Sequence, residues 1–158
     1  MTGIQLITRE LIAEVTDKAT GSPRRRMNFN FHAGPEDNPH RMLNILLRGT
    51  YVPPHRHLNP DKSEAFLVLE GAAKVVCFDD AGQPTAVHRL TAPTESPVWG
   101  IDLAAGIWHT ILAESDVAVC YEVKPGPWQP SSDKDFATWA PKENQPGWRE
   151  YLTYLEGL

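Results

Sequence analysis

The sequence has little cysteine, no long apolar run and no excess of basic charge, and each absence removes a class of protein. Two cysteines in 158 residues cannot build a disulfide framework. Cys77 and Cys120 stand alone in apolar runs without any Cys-x-x-Cys spacing, so both are expected to be buried free thiols in a reducing cytoplasm. No stretch approaches the roughly 18 apolar residues that a membrane-spanning helix needs. The opening MTGIQLITRELIAEV interrupts its apolar residues with charges and lacks a basic start, so it does not read as a signal peptide. The net charge is -5 with a pI near 5.6. Arg24-Arg25-Arg26 is too short a basic cluster to offset that, which argues against a nucleic-acid partner. Neither a membrane nor a nucleic acid is therefore expected as a partner; the small-molecule ligand expected instead rests on the metal-ligand pattern further along the chain.

Proline, by contrast, is plentiful. Fourteen residues are well above an average usage of about 5%, and they favour a loop-rich all-β body over a helical one. The length suits one domain with a real core. It divides into an N-terminal helical segment (1–22), an all-β body (23–124) whose short strands suggest a sandwich or jelly roll, and a wrapping tail (125–158). Thr8 can cap a first helix in which Leu11, Ile12, Val15 and Ala19 recur at helical spacing, and Gly21-Ser22-Pro23 ends it. RRMNFNFH then alternates with period two. Arg26, Asn28, Asn30 and His32 share one face, and Met27, Phe29 and Phe31 the other. That polar row either meets solvent or lines a ligand cavity. RMLNILLR, AFLVLE, AAKVVCF, TAVHRL and DVAVCYEV read as further strands, with Asp79-Asp80-Ala81-Gly82 as a hairpin turn. Leu90 to Pro97 reads as a loop, and His88 as an ordinary strand or surface histidine. From Pro125 the composition changes to a proline- and tryptophan-rich tail. Trp128 and Trp139 are expected to anchor it. A short final helix places Trp148, Tyr151, Leu152 and Leu155 on one face.

The chemistry concentrates between Gly49 and Gly71. His55 and His57 are two residues apart, so on a strand both imidazoles point to one face. Pro53-Pro54 just before them cannot donate ladder hydrogen bonds, which suggests a strand edge or bulge. Asn59, Pro60 and Asp61 form a turn, after which Glu64 opens a strand that can pair back. Two imidazoles and a carboxylate make a partial ligand set for a divalent transition metal, and His109 in AAGIWH offers a fourth ligand.

These residues resemble the first signature of the cupin superfamily: Gly49, five residues, His55-x-His57, a loop of six residues, Glu64, six residues, Gly71. The second cupin signature is kept only at Gly106 and His109, with Ala113 where an asparagine usually stands. SPRRRMNFNFH, HRMLN, FDDAG and FATWAPKE resemble the small cupin fold metalloproteins of the WbuC type, which are associated with bacterial polysaccharide gene clusters. The resemblance implies a jelly-roll barrel, a single divalent metal (Fe, Zn, Mn or Ni) on His55, His57, Glu64 and His109, and commonly a homodimer. It also favours the cavity for the polar row, making Arg26, Asn28, Asn30 and His32 candidates for substrate binding. Arg41 and Arg48 are candidates for an anionic group. Glu64 is expected either to bind the metal or to act as a general base. The function this predicts is a metalloenzyme on a small carbohydrate-related substrate, an isomerase or an iron-dependent dioxygenase. The alternative is a non-catalytic cupin that binds or senses such a ligand.

Overall fold

The computed structural model describes residues 3–94, 97–130 and 133–158. Residues 95 and 96 of the expected loop, and 131 and 132 of the tail, lie outside the described residues. The first helix, α1 (Arg9–Gly21), starts where Thr8 accepts a hydrogen bond from the Leu11 amide at 3.2 Å. Ten strands follow among the described residues: β1 (Arg26–Asn30), β2 (His40–Leu47), β3 (His55–Arg56), β4 (Glu64–Glu70), β5 (Ala72–Phe78), β6 (Pro84–Thr91), β7 (Gly100–Leu103), β8 (Trp108–Ala113), β9 (Val117–Lys124) and β10 (Asp135–Phe136). Helix α2 (Trp148–Gly157) closes the described chain.

The strands form two five-stranded sheets, ordered β1-β2-β9-β4-β7 and β10-β3-β8-β5-β6. Every pairing is antiparallel. The sheets face each other as a jelly-roll barrel, which is the all-β class that the alternating short strands predict. Between them lies an apolar layer that includes Leu46, Phe66, Val68, Val75, Ile111, Ala118 and Cys120.

Both outer faces are covered, and the covering explains the sequence pattern. On the first sheet, α1 packs Val15 and Ala19 against Phe31, Leu43, Ile45 and Leu47. On the second, the tail and α2 pack Ala137, Ala140, Leu152 and Leu155 against Val76, Phe78, Trp108 and Leu112. Strands buried on both sides lose the period-two alternation, as β5 and β8 do: β5 is apolar but for Lys74, and β8 but for His109 and Thr110. Trp139 anchors the tail, its ring 5.1 Å from Phe78 and 6.0 Å from Trp108. Trp128 does not anchor anything of this kind and stays 42% exposed, because its segment runs along the barrel mouth instead of the sheet face.

Two turns depend on glycine. Gly71 between β4 and β5 has φ +71, and a Cβ there would sit 2.1 Å from the Val117 carbonyl oxygen. Gly82 has φ +80 in the β5–β6 hairpin, where a Cβ would meet the Trp139 ring at 2.5 Å. Both positions need the left-handed backbone and the missing side chain.

Candidate metal centre

Period-two alternation carries one face of each strand into the barrel. On β9 this face reads Ala118, Cys120, Glu122, Lys124, and on β4 it reads Val68, Phe66, Glu64. The interior therefore changes along its axis from an apolar floor to a charged end. At that end β3, β4 and β8 bring His55, His57, Glu64 and His109 together. Their ligand atoms all lie within 4.8 Å of one another, and each residue is 2–3% exposed. The His55–His109 pairing across β3 and β8 sets two imidazoles side by side, and the short β3 follows directly on Pro53-Pro54.

The orientation of the three rings follows from their second nitrogens. His55 Nδ1 contacts the Pro53 carbonyl at 3.0 Å, His109 Nδ1 the Ile107 carbonyl at 2.9 Å, and His57 Nδ1 the Asp133 carbonyl. A carbonyl oxygen only accepts, so each Nδ1 carries the proton and each Nε2 is left with a lone pair. Among the described residues, the Nε2 atoms of His55 and His57 are buried without a hydrogen-bond partner. His109 Nε2 is 2.9 Å and His57 Nε2 3.5 Å from Glu64 Oε2. Two lone-pair-bearing atoms at 2.9 Å require a shared proton or a cation between them. Buried, unpaired acceptors converging on a carboxylate are costly unless an electrophile joins them. The donor set therefore fits a divalent transition ion, with hydrogen-bonded imidazoles of the kind that metal sites use.

A charged shell surrounds this cluster. Lys124 Nζ lies 3.3 Å from Asp133 Oδ2, 3.4 Å from Glu122 Oε1 and 3.6 Å from Glu64 Oε1. Lys62 Nζ is 3.3 Å from Asp133 Oδ1, and Asn44 donates to Glu122 at 2.8 Å. Burial alone would raise the Glu64 pKa, but the His109 and His57 imidazoles and the Lys124 charge outweigh it and hold the carboxyl well below the usual range. Burial, aided by the Lys134 charge, pushes His55 well below the ordinary imidazole value. Glu122 is raised, first by burial and then by Glu64. Lys134 is lowered, first by burial and then by Lys124. Glu122 and Lys124 could have been read from the parity of β9 with Cys120. Lys62 and Asp133 carry no such signal, because they lie in irregular segments.

Beside the cluster opens a cavity of about 490 Å³ lined by Asn28, Asn30, His32, His40, Met42, Lys124 and Trp128, among others. The rings of His32 and His40 stack at 4.0 Å with 2° between planes. Burial, then the neighbouring His32, holds His40 below its usual pKa. Three residues of the polar row thus line this cavity, and Lys124, which also lines it, lies 3.6 Å from Glu64 Oε1. Arg26 belongs to the same face of β1 but sits at its far end. It makes a two-point pair with Glu143 at 2.7 and 2.8 Å and bonds to Thr50 and the Tyr51 carbonyl. Arg41 has the parity of Leu43 and Ile45, so it lies on the outer face, where its Nε reaches the Pro39 carbonyl. Arg48 pairs with Asp116 at 3.1 Å at the opposite end of β2. None of the three arginines lines the cavity. His88 lies on a second cavity of about 460 Å³, shared with Cys77, Leu90 and Ile101 among others and apart from the cluster.

No curated protein sequence matches the chain. Solved structures do. The capsular polysaccharide assembling protein CapF from Staphylococcus aureus aligns with a TM-score of 0.59 at 20% identity, over 73% of this chain and 32% of that one. Oxalate decarboxylase from Bacillus subtilis aligns at 0.53 and 18%, over 70% and 27%. KdgF from Halomonas sp. aligns at 0.51 and 15%, over 70% and 84%. The chain spans about a third of the length of the CapF chain, and at these identities the likeness establishes the shared cupin fold alone. The family model described as a domain of unknown function (DUF6016) matches residues 7–90, just over half of the chain, and the protein belongs to that family.

Proposed function

We propose that the protein is a metal-binding cupin that holds one divalent transition ion on His55, His57, Glu64 and His109 and acts on a small, oxygen-rich, carbohydrate-related molecule. The observation that carries this reading is the pair of buried, unpartnered Nε2 atoms converging with Glu64. A closed structural zinc site is commonly built with cysteine, which is absent from this set. Three imidazoles and one carboxylate leave one or two positions open on a six-coordinate ion. Bound there, such an ion supplies Lewis acidity that polarises a substrate oxygen.

The chain's own residues do the rest. The Pro53, Ile107 and Asp133 carbonyls hold the three ring tautomers. Asn28 and Asn30 present carboxamides that can both donate to and accept from hydroxyl groups, and His32 adds a ring edge. Trp128, half in solvent, offers an indole face against which an apolar ligand face can pack. Lys124 is already neutralised by three carboxylates, so it orders those groups more than it attracts an anion. The resemblance of SPRRRMNFNFH and FATWAPKE to the WbuC type supports a place in bacterial surface polysaccharide synthesis. The capsular role printed for CapF points the same way. Isomerisation of a hydroxy carbonyl compound and iron-dependent oxygen chemistry are the reactions this site could run. The reading takes 1–158 as one cupin unit in the cytoplasm, working as a homodimer, which light scattering on the purified protein would test.

Elemental analysis of untagged protein beside His55→Ala and His109→Ala decides the metal. Near one equivalent in the wild type, lost in both variants, is the expected result. A wild type that is empty and cannot be reloaded would overturn it. A second reading is a cupin that binds a ligand without turnover. Saturable ligand binding with no conversion, abolished in His57→Ala, would select it.

A further inference from the structure

We propose that the C-terminal tail is a working part of the metal centre and that Asp133 is the positioning residue that couples the two. The inference rests on the metal-centre reading above. Two of the three imidazoles are oriented from within their own segments: His55 by the carbonyl of Pro53 and His109 by that of Ile107, each two residues earlier. His57 is different. Its Nδ1 proton goes to the carbonyl of Asp133, 76 residues away in the tail. Without the tail, His57 has no described group to fix its tautomer.

The side chain of Asp133 reaches the centre by a second route. Its two oxygens lie 3.3 Å from Lys62 Nζ and 3.3 Å from Lys124 Nζ, and all three side chains are almost wholly buried. Lys62 belongs to the loop that joins His57 to Glu64. Lys124 is 3.6 Å from Glu64 Oε1. One tail residue therefore touches one ligand through its backbone and a second through a lysine. If the Asp133 charge is removed, Lys124 is left with Glu122 at 3.4 Å and Glu64 at 3.6 Å, and it competes more strongly with the ion for the Glu64 carboxylate. The flanking residues fix the tail in register: β10 pairs with β3, and Phe136 lies 6.0 Å from the His55 ring. Partners that orient ligands in this way typically carry about a ten- to hundredfold effect on metal affinity. Coupling between two sites is reciprocal, so an ion that favours the docked tail must in turn be held by it.

The test uses zinc(II) affinity, measured by competition with a chromophoric chelator, in the full chain. Asp133→Asn is expected to bind zinc about ten- to hundredfold more weakly than wild type, and its cobalt(II) derivative to show a changed ligand-field spectrum. Asp135→Asn removes only the surface pair with Arg56 and is expected to leave affinity and spectrum as in the wild type. In the wild type, hydrogen exchange in peptides covering Asp133–Ala137 is expected to slow when zinc is added. That measurement stands alone should Asp133→Asn fail to fold. Zinc binding in the wild type, with unchanged affinity in Asp133→Asn and unchanged exchange in the tail, would reduce the tail to a passive cover and overturn the inference. A wild type that binds no metal at all would overturn the metal-centre reading instead.

Discussion

Arg26 and Cys120 show how burial and partners decide what a residue can do. By sequence parity, Arg26 sits with Asn28 and Asn30, yet its guanidinium is committed to Glu143, Thr50 and the Tyr51 carbonyl. Hydrogen bonds to charged groups contribute about 1.5–3 kcal/mol each to stability. Arg26→Ala is therefore expected to lower the urea midpoint by an amount equivalent to about 2 kcal/mol while leaving zinc affinity unchanged. A loss of ligand binding at unaltered stability would return Arg26 to the cavity. Cys120 sits in the core, fully buried, and burial pushes its thiol up to about 12. A raised folded pKa means that its contribution to stability is complete below the unfolded value of about 8.5 and is lost as pH rises toward the folded one. Alkylation by iodoacetamide at pH 8.5 is expected to be negligible in the native protein and complete in urea. Rapid labelling of native Cys120, seen by mass spectrometry, would contradict the burial.

At the scale of elements, β1 was legible from its period-two alternation, β2, β4, β5, β6 and β9 from short apolar runs between turn signals, and α1 because its cap and spacing are local. The first cupin signature brought out His55 and Glu64, which lie on converging strands, and His57, just past the end of β3; His109 joins them across the β3–β8 pair. What the sequence could not show is held together by non-local contacts. The two-residue β10 has no pattern of its own, and Asp133 means nothing until the tail crosses the barrel mouth. Lys74 is a similar case. In the middle of an apolar strand it reads as a misplaced charge, but its Nζ lies 2.9 Å from the Glu156 carbonyl and 3.4 Å from that of Leu155, at the C-terminus of α2. A cation there satisfies helix-end carbonyls and complements the dipole. Docking of α2 also depends on Leu155, which is 0% exposed. Leu155→Ala is expected to cost about 2–5 kcal/mol, read as a shift in the urea midpoint. A change below 0.5 kcal/mol would show that α2 rests on the sheet without supporting it.

On the scale of the whole molecule, the barrel is built in layers that separate stability from chemistry. Its floor is apolar, and the outer faces of its two sheets are covered by α1 on one side and by the tail and α2 on the other. That end concentrates Glu64, Glu122, Asp133, Lys62, Lys124 and the three histidines in a space from which water is largely excluded. Among the described residues, two imidazole nitrogens have no hydrogen-bond partner there, a cost the folded protein bears until an ion is bound. Ion binding to the native state alone stabilises it by RT ln(1 + [L]/Kd), about 2.7 kcal/mol at a hundredfold excess over Kd. For a domain of this size each kcal/mol corresponds to about 2–4 °C in Tm. Removing metal with a chelator is therefore expected to lower Tm by about 5–10 °C, and adding back the native ion to restore it. His55→Ala is expected to melt at the chelated temperature with or without metal. Comparing Fe, Mn, Ni and Zn by the size of the restored shift would then rank the ions by affinity, because only differential binding to the folded state moves the curve. If Tm stays unchanged across chelation and reloading, the four side chains form a charge cluster that folds without an ion. The unpaired nitrogens would then have to be satisfied by water inside the barrel.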